Sequence, residues 1–148
     1  MDAHSDIWDH PSPFTQVRRV NRDEIDGLGH TNNAVYVQWC EDVSWKHSAS
    51  LGLDLDSYQR LDRAMAVIHA EYDYLQASYL DEEVIAATWI VSWDSRLTMT
   101  RHMQIIRPAD GATLLRGEVK FACIELSTGR PRRLPPEFVA GYGPAVIG

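Results

Sequence analysis

A single helix-length stripe, followed by four long strand-like runs joined by short turns, limits how this chain can fold more than any other feature. From Thr31 or Asn32 to about Leu51, the residues Tyr36, Cys40, Val43, His47 and Leu51 recur at spacings of three and four, the period of one helix face. Gln38, Glu41, Asp42 and Lys46 occupy positions off that stripe, and Gly52 is a stop signal. Ahead of the helix, FTQVRRV (14–20) alternates as a short strand. After it, everything reads as strand. In MAVIHAEYDY, Ile68, Ala70, Tyr72 and Tyr74 share one face and His69, Glu71 and Asp73 the other. EVIAATWIVSW (83–93) is almost continuously apolar, as suits a strand covered on both sides. Asp94 and Ser95 turn the chain into RLTMTRHMQII (96–106), and RPADGA carries Asp-Gly hairpin chemistry. TLLRGEVKFACIEL (113–126) alternates again, with Leu115, Val119, Phe121 and Cys123 inward and Arg116, Glu118 and Lys120 outward. STGRPRRLPPEF then turns away. A helix of about 20 residues, some 30 Å long at 1.5 Å per residue, is expected to lie across an antiparallel sheet that wraps it. This is an α+β architecture. A small sheet has exposed edges that pairing across a two-fold axis would cover, so a homodimer or homotetramer is expected.

The 148 residues favour one domain over 1–148, with residues 1–12 as a loose arm and 141–148 as a loose tail. No apolar run reaches the roughly 18 residues of a membrane span. The start, MDAHSDIWDHPSP, is acidic without an apolar core, unlike a signal peptide. Cys40 and Cys123 form no C-x-x-C pattern and read as reduced, packed residues of a cytoplasmic protein. A net charge of −7 argues against nucleic acid as a partner. One local exception stands out: GRPRR places Arg130, Arg132 and Arg133 within four residues.

The stretch DEIDGLGHTNNAVYVQWCED (23–42) sets acids, glycines, a histidine and two asparagines just ahead of the helix stripe. A helix cap accounts for one or two of them. The surplus marks a functional loop. His69, Glu71 and Asp73 share a strand face, but their spacing matches no metal motif, and no metal is expected. His47, on the apolar stripe, reads as a satisfied core histidine.

The segment Asp26-Gly27-Leu28-Gly29-His30-Thr31-Asn32-Asn33, followed by Tyr36 and Glu41, resembles the acyl-CoA thioesterases of the 4-hydroxybenzoyl-CoA thioesterase family. YDYLQASYLDEEVIAAT and FACIELSTGRPRRLPPEF are similar to that family's later strands, so the resemblance spans about residues 14–138. Two positions depart from the family pattern: Thr31 stands where valine is usual, and Glu24 where aspartate is common. The resemblance implies a hotdog fold and hydrolysis of an acyl-CoA thioester, with coenzyme A as part of the substrate and no separate cofactor. It makes Asp26 the catalytic carboxylate, as nucleophile or as general base on water. A backbone N–H near Asn32 or Asn33, at the helix start, is then the donor to the carbonyl oxygen. Gly27 and Gly29 let the backbone approach the thioester. His30 either braces the loop or takes part in proton transfer. Tyr36, with Val35 and Trp39, contributes to the acyl pocket. Arg130, Arg132 and Arg133 offer guanidinium groups to the three phosphate groups of coenzyme A. The rival expectations are a hotdog hydratase or dehydratase built on Asp26 and His30, and a non-catalytic acyl-CoA-binding module.

Overall fold

The computed structural model describes residues 5–147. Five strands, β1 (Phe14–Arg19), β2 (Arg63–Tyr74), β3 (Glu83–Trp93), β4 (Thr98–Arg107) and β5 (Ala112–Glu125), form one sheet in the order β1-β3-β4-β5-β2. Three helices accompany it: α1 (Asn33–Ser50), α2 (Leu55–Leu61) and α3 (Pro136–Tyr142). β1 runs antiparallel to β3, with Phe14 opposite Thr88 and Arg19 opposite Glu83. Val84 to Ile90 are buried without interruption, as the apolar run in β3 requires. α1 ends where expected, because Gly52 takes a φ of +82° that an L-residue adopts only with strain.

Contacts divide the chain into two compact units. The first comprises residues up to Val43, Tyr72–Thr88 and Met103–Gly117. Its half of α1 buries Tyr36, Trp39, Cys40 and Val43. The Trp39 indole is fully buried and donates to Glu24 Oε2 at 3.0 Å, so it belongs to the core rather than to an acyl pocket. Residues 5–12 are bound, not loose: Trp8 is buried, Gln104 holds the Ile7 carbonyl (2.8 Å) and the Asp9 N–H (2.9 Å), and Arg116 pairs with Asp9 at 2.8 Å. One indole offers enough apolar area to dock a segment whose composition is otherwise that of a solvated arm. Residues 1–4 lie outside the described part.

The second unit comprises Ser44–Glu71, Trp89–His102 and the residues from Glu118 on. Two short helices that the strand-like reading of this region passed over, α2 and α3, supply much of its core. Asp54 caps α2 by accepting the Ser57 N–H at 2.9 Å. Phe138 and Tyr142, four residues apart on α3, are completely buried beside Tyr58, Ile90 and Met99. The end of the chain is held as well, since the Ile147 N–H donates to the Ile90 carbonyl at 2.9 Å. Residues 141–147 are therefore anchored, and Gly148 lies outside the described part. A buried arginine crosses this core. Arg101 donates to His47 Nδ1 at 2.9 Å and to Ser48 Oγ at 3.2 Å, and Ser48 in turn meets the Tyr142 hydroxyl, which bonds that of Tyr58.

Because Arg101 can only donate, His47 Nδ1 accepts and the neutral ring carries its proton on Nε2. Burial, and secondarily the Arg101 charge, lower the His47 pKa from 6.5 to about 4. The unfolded chain therefore binds a proton between those values that the folded chain refuses, and stability falls as pH drops from 6.5 towards 4. Chemical denaturation across that range is expected to show a loss on the order of 1 kcal/mol, the shift being discounted for the exposed edge of the ring. His47→Gln is expected to flatten this slope, and an unchanged slope would remove His47 as its source.

Candidate active site

The site is assembled from local hydrogen bonds around Glu24. Its Oε1 accepts the Asn21 N–H at 3.0 Å, closing a short 3₁₀ turn, while its Oε2 holds Trp39 and its carbonyl accepts the Asn32 N–H at 2.9 Å. Glu24, one of the two departures from the family pattern, thus ties the loop to α1. Within the loop, the Asp26 N–H donates to the His30 carbonyl at 2.8 Å and the Gly29 N–H to the Asp26 carbonyl at 3.1 Å. Gly29 makes this turn with a φ of +82°. Asp26 Oδ1 accepts two backbone N–H groups, from Leu28 at 2.9 Å and His30 at 3.3 Å. No protein group among the described residues bonds Oδ2. One oxygen of the carboxylate holds the loop, and the other is available.

Accounting for the N–H groups at the start of α1 separates the two asparagines. Asn32 is the cap: its side-chain oxygen accepts the Ala34 N–H at 2.9 Å and its carbonyl the Val35 N–H at 2.8 Å. Its own N–H is taken by Glu24. The Asn33 N–H alone is left without an acceptor among the described residues, at the positive end of the helix dipole.

The facing wall is segment 74–77, fastened through Ser78, which is fully buried. The Thr31 N–H donates to the Ser78 carbonyl at 2.9 Å, and the Thr31 and Ser78 hydroxyls lie 2.7 Å apart. The Tyr36 hydroxyl donates to the Gln76 carbonyl at 3.1 Å and stands 2.9 Å from Ser78 Oγ. One direction of donors satisfies all three hydroxyls: Thr31 to Ser78, Ser78 to Tyr36, Tyr36 to Gln76. Burial raises the Tyr36 pKa, so the phenol stays protonated and keeps donating.

Between these parts is a cavity of about 320 Å³. Asp26, Leu28, His30, Thr31, Asn33 and Tyr36 line it from the loop and helix, and Tyr74, Leu75, Gln76 and Ala77 from the strand end. Four residues singled out in the sequence, Asp26, His30, Asn33 and Tyr36, are brought together here. Tyr36 offers only its ring, its hydroxyl being committed. Gly29 and Asn32 shape the loop and cap the helix without lining the cavity, and neither Val35 nor Trp39 reaches it. His30 braces the loop through its backbone, while its ring packs edge-on against Tyr79 at 5.4 Å. The Asp26 carboxylate bonds the backbone of His30 and not its ring, so these residues do not form the acid–histidine pair of a hydratase. Leu28, Thr31, Tyr74, Leu75, Gln76 and Ala77 line the cavity without being among the expected site residues. For Leu75, Gln76 and Ala77 the only hint was the pair of polar residues in LQAS, between two strand signals. Arg130, Arg132 and Arg133 lie in the second unit, all exposed. Arg132 pairs with Glu125 at 3.0 Å, and the guanidinium groups of Arg130 and Arg133 have no protein partner among the described residues. Among those residues no group of three or more His, Cys, Asp or Glu is placed to hold a metal ion, and no helix is long and apolar enough to cross a membrane.

Two residues that line one cavity thus carry a half-held carboxylate and a free helix-start N–H, the kinds of group that thioester hydrolysis demands. The sequence matches the thioesterase-like superfamily over residues 20–141. The chain belongs to that superfamily, and is a thioester hydrolase on an α+β hotdog fold. Among solved structures it is similar to a 1,4-dihydroxy-2-naphthoyl-CoA thioesterase from Synechocystis, at 21% identity and a TM-score of 0.77, covering 87% of this chain and 95% of that one. A Staphylococcus aureus protein in complex with CoA is 22% identical with a TM-score of 0.81, over 93% and 87% of the two chains. A 12:0-ACP thioesterase from Umbellularia californica gives 18% and 0.81, over 94% of this chain and 55% of that one. At these identities the likeness shows the fold. No curated protein matches the sequence.

The hydroxyl chain gives Thr31 a role that valine could not fill. Thr31→Val is expected to lower stability by about 1 kcal/mol, seen as a reduced Tm, because Ser78 loses a buried partner. A Tm equal to that of the wild type would mean that the Thr31 hydroxyl contributes nothing.

Proposed function

We propose that this enzyme hydrolyses acyl-CoA thioesters, with Asp26 as the reactive carboxylate and the Asn33 N–H as donor to the thioester carbonyl oxygen. One observation carries the reading: Asp26 Oδ2 and the Asn33 N–H, both without a protein partner among the described residues, belong to residues lining the same cavity. Oδ2 attacks the carbonyl carbon to form a mixed anhydride that water then cleaves, or it takes a proton from an attacking water. Either route releases the free acid and the thiol of coenzyme A. Negative charge gathers on the carbonyl oxygen in both, and a helix-start N–H stabilises it without reorganisation.

Coenzyme A is favoured as the carrier by the fold's likeness to a protein bound to CoA and by two available guanidinium groups, Arg130 and Arg133, in a chain of net charge −7. Phosphate is the ligand that such a local exception suits. The working form is a homodimer or homotetramer. Edge strand β2 carries Val67 and Ile68 at 52% and 58% exposure, and a second chain pairing along it would cover both the apolar side chains and the open backbone groups.

Free thiol release from a panel of acyl-CoA esters tests the reading. Asp26→Asn is expected to stay folded and lose at least ~10²-fold in kcat/KM. Equal turnover by this variant and the wild type would dismiss Asp26 while leaving a thioesterase. Asn33→Pro, compared with Asn33→Ala to account for the lost side chain, isolates the donor, since proline is well tolerated at the first helical position and lacks the N–H. A fall of ~10²-fold in kcat with an unchanged circular dichroism spectrum is expected, and full activity would exclude this N–H.

A further inference from the structure

Gln76 is the most firmly held residue of the cavity wall, and its amide is oriented. Its N–H donates to the Leu114 carbonyl at 3.2 Å, and its carbonyl accepts the Tyr36 hydroxyl at 3.1 Å. Its side chain meets Arg107, whose Nη2 lies 3.4 Å from Gln76 Oε1. A guanidinium has no acceptor, so the amide oxygen must face it and the NH₂ must turn away. Arg107 is itself immobilised. Nη1 donates to the Ala77 carbonyl at 3.0 Å and to Glu82 at 3.3 Å, and Nη2 to Asp110 at 2.9 Å. Gln76 Nε2 has no acceptor among the described residues, and Gln76 lines the cavity with Asp26 and Asn33.

Resting on the thioesterase reading above, we infer that Gln76 Nε2 is a second donor to the thioester carbonyl oxygen, and that Arg107 is a positioning residue which keeps this amide turned to donate. One helix N–H leaves the oxyanion with a single donor, whereas a tetrahedral oxyanion accommodates two or more. In the balanced step, the attacking oxygen forms a bond to the carbonyl carbon and the π pair moves to the carbonyl oxygen. Gln76 and Asn33 donate to that oxygen without giving up a proton. Collapse restores the C=O bond, breaks C–S and leaves the electron pair on sulfur, which takes its proton from Asp26 when water is the attacking group and from solvent water when the carboxylate is. An amide is suited to this work, being neutral at all relevant pH and able to donate without altering the charge on Asp26.

The test is steady-state hydrolysis of the best acyl-CoA ester by wild type, Gln76→Met, Gln76→Ala, Arg107→Met and the double variant Gln76→Met/Arg107→Met, each checked for an unchanged circular dichroism spectrum. Gln76→Met keeps the side-chain length and removes the donor. Both Gln76 variants are expected to lose ~10- to 10²-fold in kcat, with KM within about threefold. Arg107→Met is expected to lose ~5-fold or more in the wild-type background and almost nothing further when Gln76 is already Met. A wall that merely supported the fold would instead raise KM or lower Tm. An active wild type with folded Gln76 variants at full kcat would overturn the inference and leave the thioesterase reading intact. Additive losses in the double variant would overturn the part assigned to Arg107. No turnover by the wild type on any ester would overturn the reading and this inference together.

Discussion

Ser78 fastens the start of the long helix to the segment that faces it. It receives the Thr31 N–H on its carbonyl, and its hydroxyl joins those of Thr31 and Tyr36 in one chain. These groups are buried, where an unmade hydrogen bond costs far more than a made one gains. The wall carrying Gln76 therefore has one favourable seat rather than a range of them. The cavity inherits its shape from that seat, since residues 26–36 and residues 74–77 supply its two sides.

A second constraint acts on the other flank of the helix start. An α-helix begins with unpaired N–H groups, and here each is assigned: Glu24 takes that of Asn32, and Asn32 takes those of Ala34 and Val35. What remains is a single donor, at Asn33, placed by elimination as much as by design. Asp26 follows the same logic, with one oxygen absorbed by the loop and one left over. In both cases the candidate group is the remainder after local bonding has been satisfied.

The strands and the long helix were legible because their signals are periodic. β3 spans the residues that its apolar run marks, and the helix begins and ends within two residues of its stripe. Asp26, His30, Asn33 and Tyr36 were legible because they lie close together in sequence, where a loop and a helix start dictate nearness. Gln76 was not, because its nearness to Asp26 arises from tertiary packing across fifty residues. The helices α2 and α3, seven residues each, are too short for periodicity to declare them. Asp54 three residues ahead of Ser57, and Pro135-Pro136, were their only local marks. Arg101 was hidden by its type, since an arginine within an alternating strand reads as solvent-facing until the surrounding His47, Ser48 and tyrosines are known. The terminal segments were misjudged for a related reason: composition averages over a segment, whereas docking depends on a single residue such as Trp8 or Tyr142.

Leu28 bears on how such a site diversifies. It serves the carboxylate only through its backbone N–H, while its side chain is 80% exposed at the cavity lip. The hold on the Asp26 carboxylate is thus indifferent to what this position displays. Mutational drift here can widen, narrow or polarise the mouth without unsettling the loop beneath, so that lineages sharing one reactive centre can part ways over the cargo they accept.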